Sequence, residues 1–257
     1  MPLPKPVLRS MLRSTGFISL SLSSRMRINK YIAAQGWASR READMLISEK
    51  KVLVNGKPAV LGQQVSDADT VTLVGAPATK RYLAYYKGRG IITHSPSEDE
   101  TDIMMRLKKD YNLTDIAPIG RLDKDSEGLM ILSDDGRITA PLLNPESEHE
   151  KVYEVTVDKP ITGHFLKDME KGVDIEGYMT KPAHTEKKSS HTFELTLTEG
   201  KKHQIRRMCA ALGYQVHGLK RVRILNIELG KLKPNQYRIL GGAELATFLK
   251  TLGITPN

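Results

Sequence analysis

A single cysteine, Cys209, stands in 257 residues. The chain therefore has no disulfide framework and no thiolate metal cage, and a reducing compartment suits it best. Tryptophan occurs once and phenylalanine four times. No run of about 18 apolar residues exists, which excludes a membrane-spanning helix. The seven histidines never approach closer than seven positions in sequence, so no local zinc-type pair is present. Gly-x-Gly-x-x-Gly, the phosphate loop Gly-x-x-x-x-Gly-Lys and the Gly-x-Ser-x-Gly elbow are all missing, which makes dinucleotide redox chemistry and nucleotide hydrolysis poor candidates. What remains is acid, base and nucleophile work by side chains, with no metal and no cofactor called for.

Positive charge is what the chain has in excess, and it is localised. The net charge is +9. Residues 1–25 carry Lys5, Arg9, Arg13 and Arg25 with no acid. Residues 199–224 carry Lys201, Lys202, Arg206, Arg207, Lys220, Arg221 and Arg223 against Glu199 alone. Those stretches supply +4 and +6, leaving the other 206 residues, with 28 cations and 29 acids, at −1. Localised cations suit a polyanion, because neutralising phosphates releases condensed counterions. On charge alone, a solvated basic face fits as well.

The length and a hydrophobic content of 39% allow one medium domain and a small one. Residues 1–25, basic and rich in serine, read either as an organellar transit peptide or as a start assigned too early, since Met26 directly precedes the first structured pattern. The two readings place the protein in a mitochondrion or plastid, or in the cytoplasm. From Arg27, apolar Ile28, Tyr31 and Ile32 predict a helix ended at Gly36. Ser39 with Glu42 forms a capping box for a second helix, striped by Ala43, Leu46 and Ile47. Val52–Val54 reads as a strand entering an Asn55-Gly56 turn, and Val71–Val74 as another. Arg27, Lys30, Arg40 and Arg41 gather at the helix starts, where free N–H groups favour an anion. This pattern, Arg27 to Ile32, Ser39 to Asp44 and Val54-Asn55-Gly56, resembles the alpha-L motif of a small-subunit ribosomal protein. The resemblance implies RNA as partner, with these four basic residues as contacts.

Four segments follow: 1–25 outside the fold, 26–74 as the alpha-L unit, a linker at 75–80, and a larger domain from 81 to 257. In the last, strands are predicted at Tyr82–Tyr86, Gly128–Leu132, Lys151–Val157, His191–Thr198 and Arg221–Leu229. Helices are predicted at Asp102–Lys109, Thr162–Lys171, Lys202–Leu212 and Ala243–Leu252. The fold class is α+β, a largely antiparallel mixed sheet with flanking helices.

Three stretches carry candidate chemistry. Gly120-Arg121-Leu122-Asp123, running on to Gly128, is a polar loop entering a buried strand, able to fix Asp123 at a cleft rim; a turn residue or surface charge is the bland alternative. Tyr153 shares a strand face with Val155 and Val157, so its ring either fills the core or caps a cleft. Glu199-Gly200 leads to Gln204-Ile205-Arg206-Arg207-Met208, a helix start in which one arginine lies beside the buried face. Solvated arginines are the default.

In this order, and behind an alpha-L unit, these segments resemble the pseudouridine synthases of the small-subunit-synthase family over residues 26 to about 250. His149 to Thr162 and Arg206 to Cys209 look most like its large-subunit ribosomal RNA branch. The resemblance implies isomerisation of uridine to pseudouridine in ribosomal RNA without cofactor. It makes Asp123 the catalytic carboxylate, Tyr153 the base-stacking ring, Arg206 the guanidinium that pairs with Asp123, and Ile205 the aliphatic wall of the pocket. Arg121 and Leu122 become substrate contacts, and Lys201, Lys202 and Arg207 become RNA contacts, Arg207 being a surface charge otherwise. A monomer is expected. A non-catalytic RNA-binding or assembly factor of the same fold, or a synthase for transfer RNA, are the alternatives. One departure is clear: Tyr86-Lys87-Gly88-Arg89-Gly90 has glycine where the family usually has proline, which frees φ and loosens that loop.

Overall fold

The computed structural model describes residues 25–35, 37–66, 68–74, 80–94, 97 and 100–255. The readings of residues 1–24, of Gly36 as a helix stop and of most of the linker lie outside them. Among the described residues, no helix is long and apolar enough to cross a membrane.

Local signals build the N-terminal unit: β1 (Met26–Arg27), α1 (Ile28–Ala34), α2 (Arg40–Ser48), β2 (Val52–Val54), β3 (Lys57–Pro58), β4 (Gln64–Val65) and β5 (Val71–Leu73). The Ser39 hydroxyl accepts from Glu42 N, and the Glu42 carboxylate accepts from Ser39 N, so both halves of the capping box start α2. Asn55 and Gly56, at φ +51° and +79°, turn β2 into β3. Ile28, Ile32, Ala43, Ile47, Val52 and Val65 form the core of this unit. Arg27, Lys30, Arg40 and Arg41 are all exposed.

The larger unit comprises β6 (Tyr82–Lys87), α3 (Ile103–Tyr111), β7 (Ala117–Ile119), β8 (Glu127–Ser133), α4 (Thr139–Leu143), β9 (Lys151–Val157), α5 (Gly163–Lys171), β10 (His184–Lys187), β11 (Thr192–Leu197), α6 (Gln204–Ala211), β12 (Val216–Ile224), β13 (Ile227–Glu228), β14 (Tyr237–Ile239) and α7 (Gly242–Thr251). Seven strands run in the order β10-β11-β9-β12-β8-β6-β14, with β13 beside β12 and β7 beside β8. Among the strands of the described residues, only β12 and β8 pair in parallel. β6 and β8 are apolar nearly throughout because both faces are covered. Leu83, Tyr85, Met130 and Leu132 meet Ile103 and Leu107 of α3, while Ala84, Leu129 and Ile131 join Phe248 and Leu249 of α7 in the opposite core. β11 alternates instead, burying Phe193, Leu195 and Leu197 against α5 and α6 and turning its other residues outward.

The two units touch where the α2 start meets a single 3-10 turn at Gly136–Ile138. A Cβ added at Gly136 would lie 2.4 Å from Ser39 Cβ, so only glycine permits this approach. Buried Asp135, accepting from Tyr82 Oη and from Arg137, anchors the turn, and Lys80 pairs with Glu42 across the junction.

The structure corrects the strand expected over Arg221–Leu229. β12 starts five residues earlier, at Val216, and the chain turns at Leu225, with φ +52°, before returning as β13. No glycine or proline marks that turn. The short strands β7, β10 and β14, and helix α4, also lack a sequence signal long enough to read.

Gly128, at φ +112°, lies against β12 so closely that a Cβ would come 2.3 Å from Arg221 O. Gly128→Ala is therefore expected to cost about 3 kcal/mol or more, from overlap and backbone strain together. Equilibrium unfolding of the variant measures it, and a loss under about 1 kcal/mol would contradict the packing.

Candidate active site

Between β7 and β8 the chain passes through Gly120, at φ +84°, into residues 121–126, and every carbonyl of that loop is held. Arg221 Nη1 reaches Arg121 O at 3.5 Å, and Thr93 Oγ1 donates to Leu122 O at 2.9 Å. Asp123 O accepts from Ser126 N at 3.0 Å, and Lys124 O from Gly90 N at 2.8 Å. Arg206 Nη2 donates to Asp125 O at 3.2 Å, and Lys87 Nζ to Ser126 O at 2.6 Å. Thr93 Oγ1 also accepts from Leu122 N at 3.1 Å. Three cations thus grip the backbone while the Asp123 carboxylate stands free of them, half-exposed. Beside it is His203, whose Nδ1 lies 3.7 Å from Oδ2.

The carboxylate opens onto a cleft of about 640 Å³ lined by Arg121, Leu122, Tyr153, Ile205, Lys201 and Lys202, among others. Tyr153 comes from β9, and its half-buried ring packs against two of the core clusters and lines the cleft. Leu142 and Leu143 of α4 form the facing wall. A second cavity of about 320 Å³ shares Asp123, Arg121, Leu122 and His203 and adds Arg206. Glu199 closes the floor of the turn before α6. Its carboxylate accepts from Tyr178 Oη at 2.6 Å, Lys181 N at 3.0 Å and Gln204 Nε2 at 2.8 Å. Burial alone would raise its pKa, yet these donors hold it below the usual carboxylate range. Among the described residues, no group of three or more His, Cys, Asp or Glu side chains is placed to hold a metal ion.

The expected residues Asp123, Tyr153, Ile205, Arg121, Leu122, Lys201 and Lys202 meet in one cleft, and Arg206 borders the adjoining cavity. One expectation is corrected. The Arg206 guanidinium does not form a bidentate pair with Asp123. It donates to Val216 O at 3.1 Å and to Asp125 O, because α6 presents it to the end of the loop rather than to its tip. Arg207 makes a surface pair with Glu176 at 2.8 Å and donates to Ile175 O at 2.8 Å. Arg27, Lys30, Arg40 and Arg41 do not border the cleft; they lie on the N-terminal unit.

Lys87, Thr93, His203 and Arg221 also belong to the site, although the sequence does not single them out. Lys87 had a signal, being a charge that ends the buried strand Tyr82–Lys87. Arg221 is 5% exposed yet reads in sequence as one more member of a basic run. His203 holds φ +53° as the residue before α6, a backbone state uncommon for a non-glycine residue, and this corrects the expected helix start at Lys202.

A family model described as RNA pseudouridylate synthase matches residues 81–211, the stretch that builds the sheet's centre and the cleft. The chain belongs to the RNA pseudouridylate synthase family. A second model, the S4 domain, matches residues 26–71 of the synthase. The dual-specificity RNA pseudouridine synthase RluF of Escherichia coli K12 is 38% identical over 235 residues, covering 89% of this chain and 80% of that one. The ribosomal small subunit pseudouridine synthase A of Pasteurella multocida is 35% identical, covering 88% of this chain and 100% of its own. A crystal structure of a pseudouridylate synthase superposes with a TM-score of 0.64 at 30% identity, covering 88% of this chain and 99% of that one. The synthase is thus an isomerase acting on RNA.

Burial lowers the Lys87 pKa to about 8, with the Asp123 charge opposing the shift. Between about 8 and the unfolded value of about 10.5, the unfolded chain holds the extra proton, so this group's share of folding stability rises with pH. Turnover should move the other way. Loss of the ammonium charge weakens the grip on Ser126 O, giving an alkaline limb in kcat centred near about 8 that flattens in Lys87→Met. A wild-type profile level from about pH 7 to about 9.5 contradicts that role.

Proposed function

We propose that the synthase isomerises a uridine of large-subunit ribosomal RNA, with Asp123 as the catalytic carboxylate and Tyr153 stacking on the extruded uracil. The observation that carries this is the Asp123 loop, whose backbone is wholly pinned while its carboxylate, paired with no arginine among the described residues, faces an aromatic-edged cleft. Such a carboxylate needs little reorganisation when the sugar arrives. The N1–C1′ bond breaks, the freed uracil turns, C5 bonds to C1′, and the proton displaced from C5 is balanced by one gained at N1. The carboxylate either adds to C1′ or removes a sugar proton, and both routes begin from the same ionised group.

A uridine inside folded RNA must first leave its stack, at a cost of a few kcal/mol that an aromatic face partly recovers. The half-buried Tyr153 offers that face, and Ile205, 5% exposed on α6, offers an aliphatic wall. Lys201 and Lys202 at the mouth, and Arg27, Lys30, Arg40 and Arg41 on the N-terminal unit, meet phosphates. The choice of large-subunit RNA rests on the likeness of residues 149–162 and 206–209 to that branch. Pseudouridine mapping in a deletion strain tests it: a missing large-subunit site supports the reading, whereas a missing transfer RNA or small-subunit site replaces the target.

Asp123→Asn removes the charge and keeps the shape. Pseudouridine formation should fall below detection while RNA affinity changes less than about threefold; an active variant would overturn the assignment. The N-terminal cations have their own readout. Replacing Arg40 and Arg41 together by alanine should reduce the slope of log affinity against log salt by about 1 for each phosphate that is no longer neutralised. An unchanged slope would remove them from the interface.

A further inference from the structure

Gly88 stands where the resemblance leads one to expect proline, and the structure shows what occupies the space. Asn235, in the loop before β14, donates its backbone N–H to Tyr86 O at 2.7 Å. Its Oδ1 accepts from Gly88 N at 3.2 Å and from Tyr85 Oη at 3.3 Å. Its own carbonyl accepts from Tyr111 Oη at 3.0 Å. A Cβ at Gly88 would lie 2.8 Å from Asn235 Oδ1 and 3.2 Å from Nδ2. Asn235 itself sits at φ +66°, a left-handed state that asparagine tolerates. As packed, a side chain at 88 and the Asn235 amide collide, so one of them must shift. A proline has no N–H to offer Oδ1, and its ring carbons need the volume the amide fills.

We infer that Asn235 is a positioning residue for catalysis, doing with a side-chain hydrogen bond what a proline ring does by fixing φ. The path to the reacting group is short. Two residues after Gly88 comes Gly90, whose N–H holds Lys124 O, and directly before it Lys87, whose ammonium holds Ser126 O. These are two of the carbonyls that aim Asp123. Asn235 lines neither of the two cavities that Asp123 borders, and the inferred effect runs through that loop. The glycine then imposes no looseness on the site, provided the asparagine is there.

Asn235→Gly keeps the left-handed backbone and deletes the amide. Single-turnover rates at saturating RNA should fall at least about tenfold with KM unchanged within about twofold, and Asn235→Asp, which retains Oδ1, should restore most of the rate. Exchange of the Gly90 amide should quicken in Asn235→Gly, a readout independent of activity. Gly88→Pro, at a position outside the left-handed range, should impair the wild type by collision and yet recover rate in the Asn235→Gly background. Should the proline variants not fold, Gly88→Ala takes their place: it should slow the wild type and leave Asn235→Gly no worse. Equal effects of either Gly88 substitution in both backgrounds, or a wild-type rate for Asn235→Gly, would overturn the inference. It rests on the synthase reading, and the two fail differently: a wild type that forms no pseudouridine defeats the functional reading, whereas additive variants of an active enzyme defeat this one alone.

Discussion

Six consecutive carbonyls, from Arg121 to Ser126, are each given a donor, and three of those donors are cations. The rest of the site depends on that arrangement. A carboxylate paired bidentately with arginine is well aimed, but its oxygens are spent on the partner. Holding the loop by its backbone aims the side chain equally well and leaves its oxygens available. The positive charge still lies close behind the loop, where partial burial strengthens its field at Asp123. Burying Lys87 and Arg221 costs solvation, and that cost is offset by carbonyl acceptors: Ser126 O, Gly88 O and Lys124 O for Lys87, and Leu129 O and Arg121 O for Arg221.

The sheet order makes this possible. Lys87 ends β6, the loop leads into β8, and Arg221 lies on β12. These three strands are adjacent, although residues 87 and 221 are far apart in the chain. The parallel pairing of β8 with β12 sets Gly128 against the Arg221 backbone, so the arginine side chain passes beneath the loop that Gly128 closes. α6 brings Arg206 from the other side. A similar close fit appears beside Lys87, where the Asn235 amide accepts from Gly88 N and fills the space a Cβ at 88 would take.

Elements with self-contained signals are legible in the sequence alone. α2 has its capping box, β9 begins and ends at the expected residues, and α5 follows Thr162, whose hydroxyl accepts from Phe165 N. The turn of β12 into β13 is not legible, because Leu225 takes a left-handed conformation that only its surroundings impose. The start of α6 is misplaced for a related reason. Lys201 N and Gln204 Nε2 are tied into a network with Glu199, and the turn this forms leaves no trace in helix propensity. Among the site residues, the sequence puts Asp123, Tyr153 and Ile205 correctly at the cleft, whereas it gives Arg206 the right neighbourhood and the wrong bond.

Residue types and their order determined the α+β class and the capped and alternating elements, because periodicity, caps and short motifs are properties of neighbouring residues. The RNA partner and the choice of Asp123 came from the family resemblance that those motifs carry. Only the tertiary structure decided what each cation holds. Lys87, Arg206 and Arg221 look alike in sequence as positive charges, and their targets are backbone oxygens present at every position. Which oxygen each one reaches is set by strand order, register and a few ångströms of approach, which exist only once distant segments have packed together.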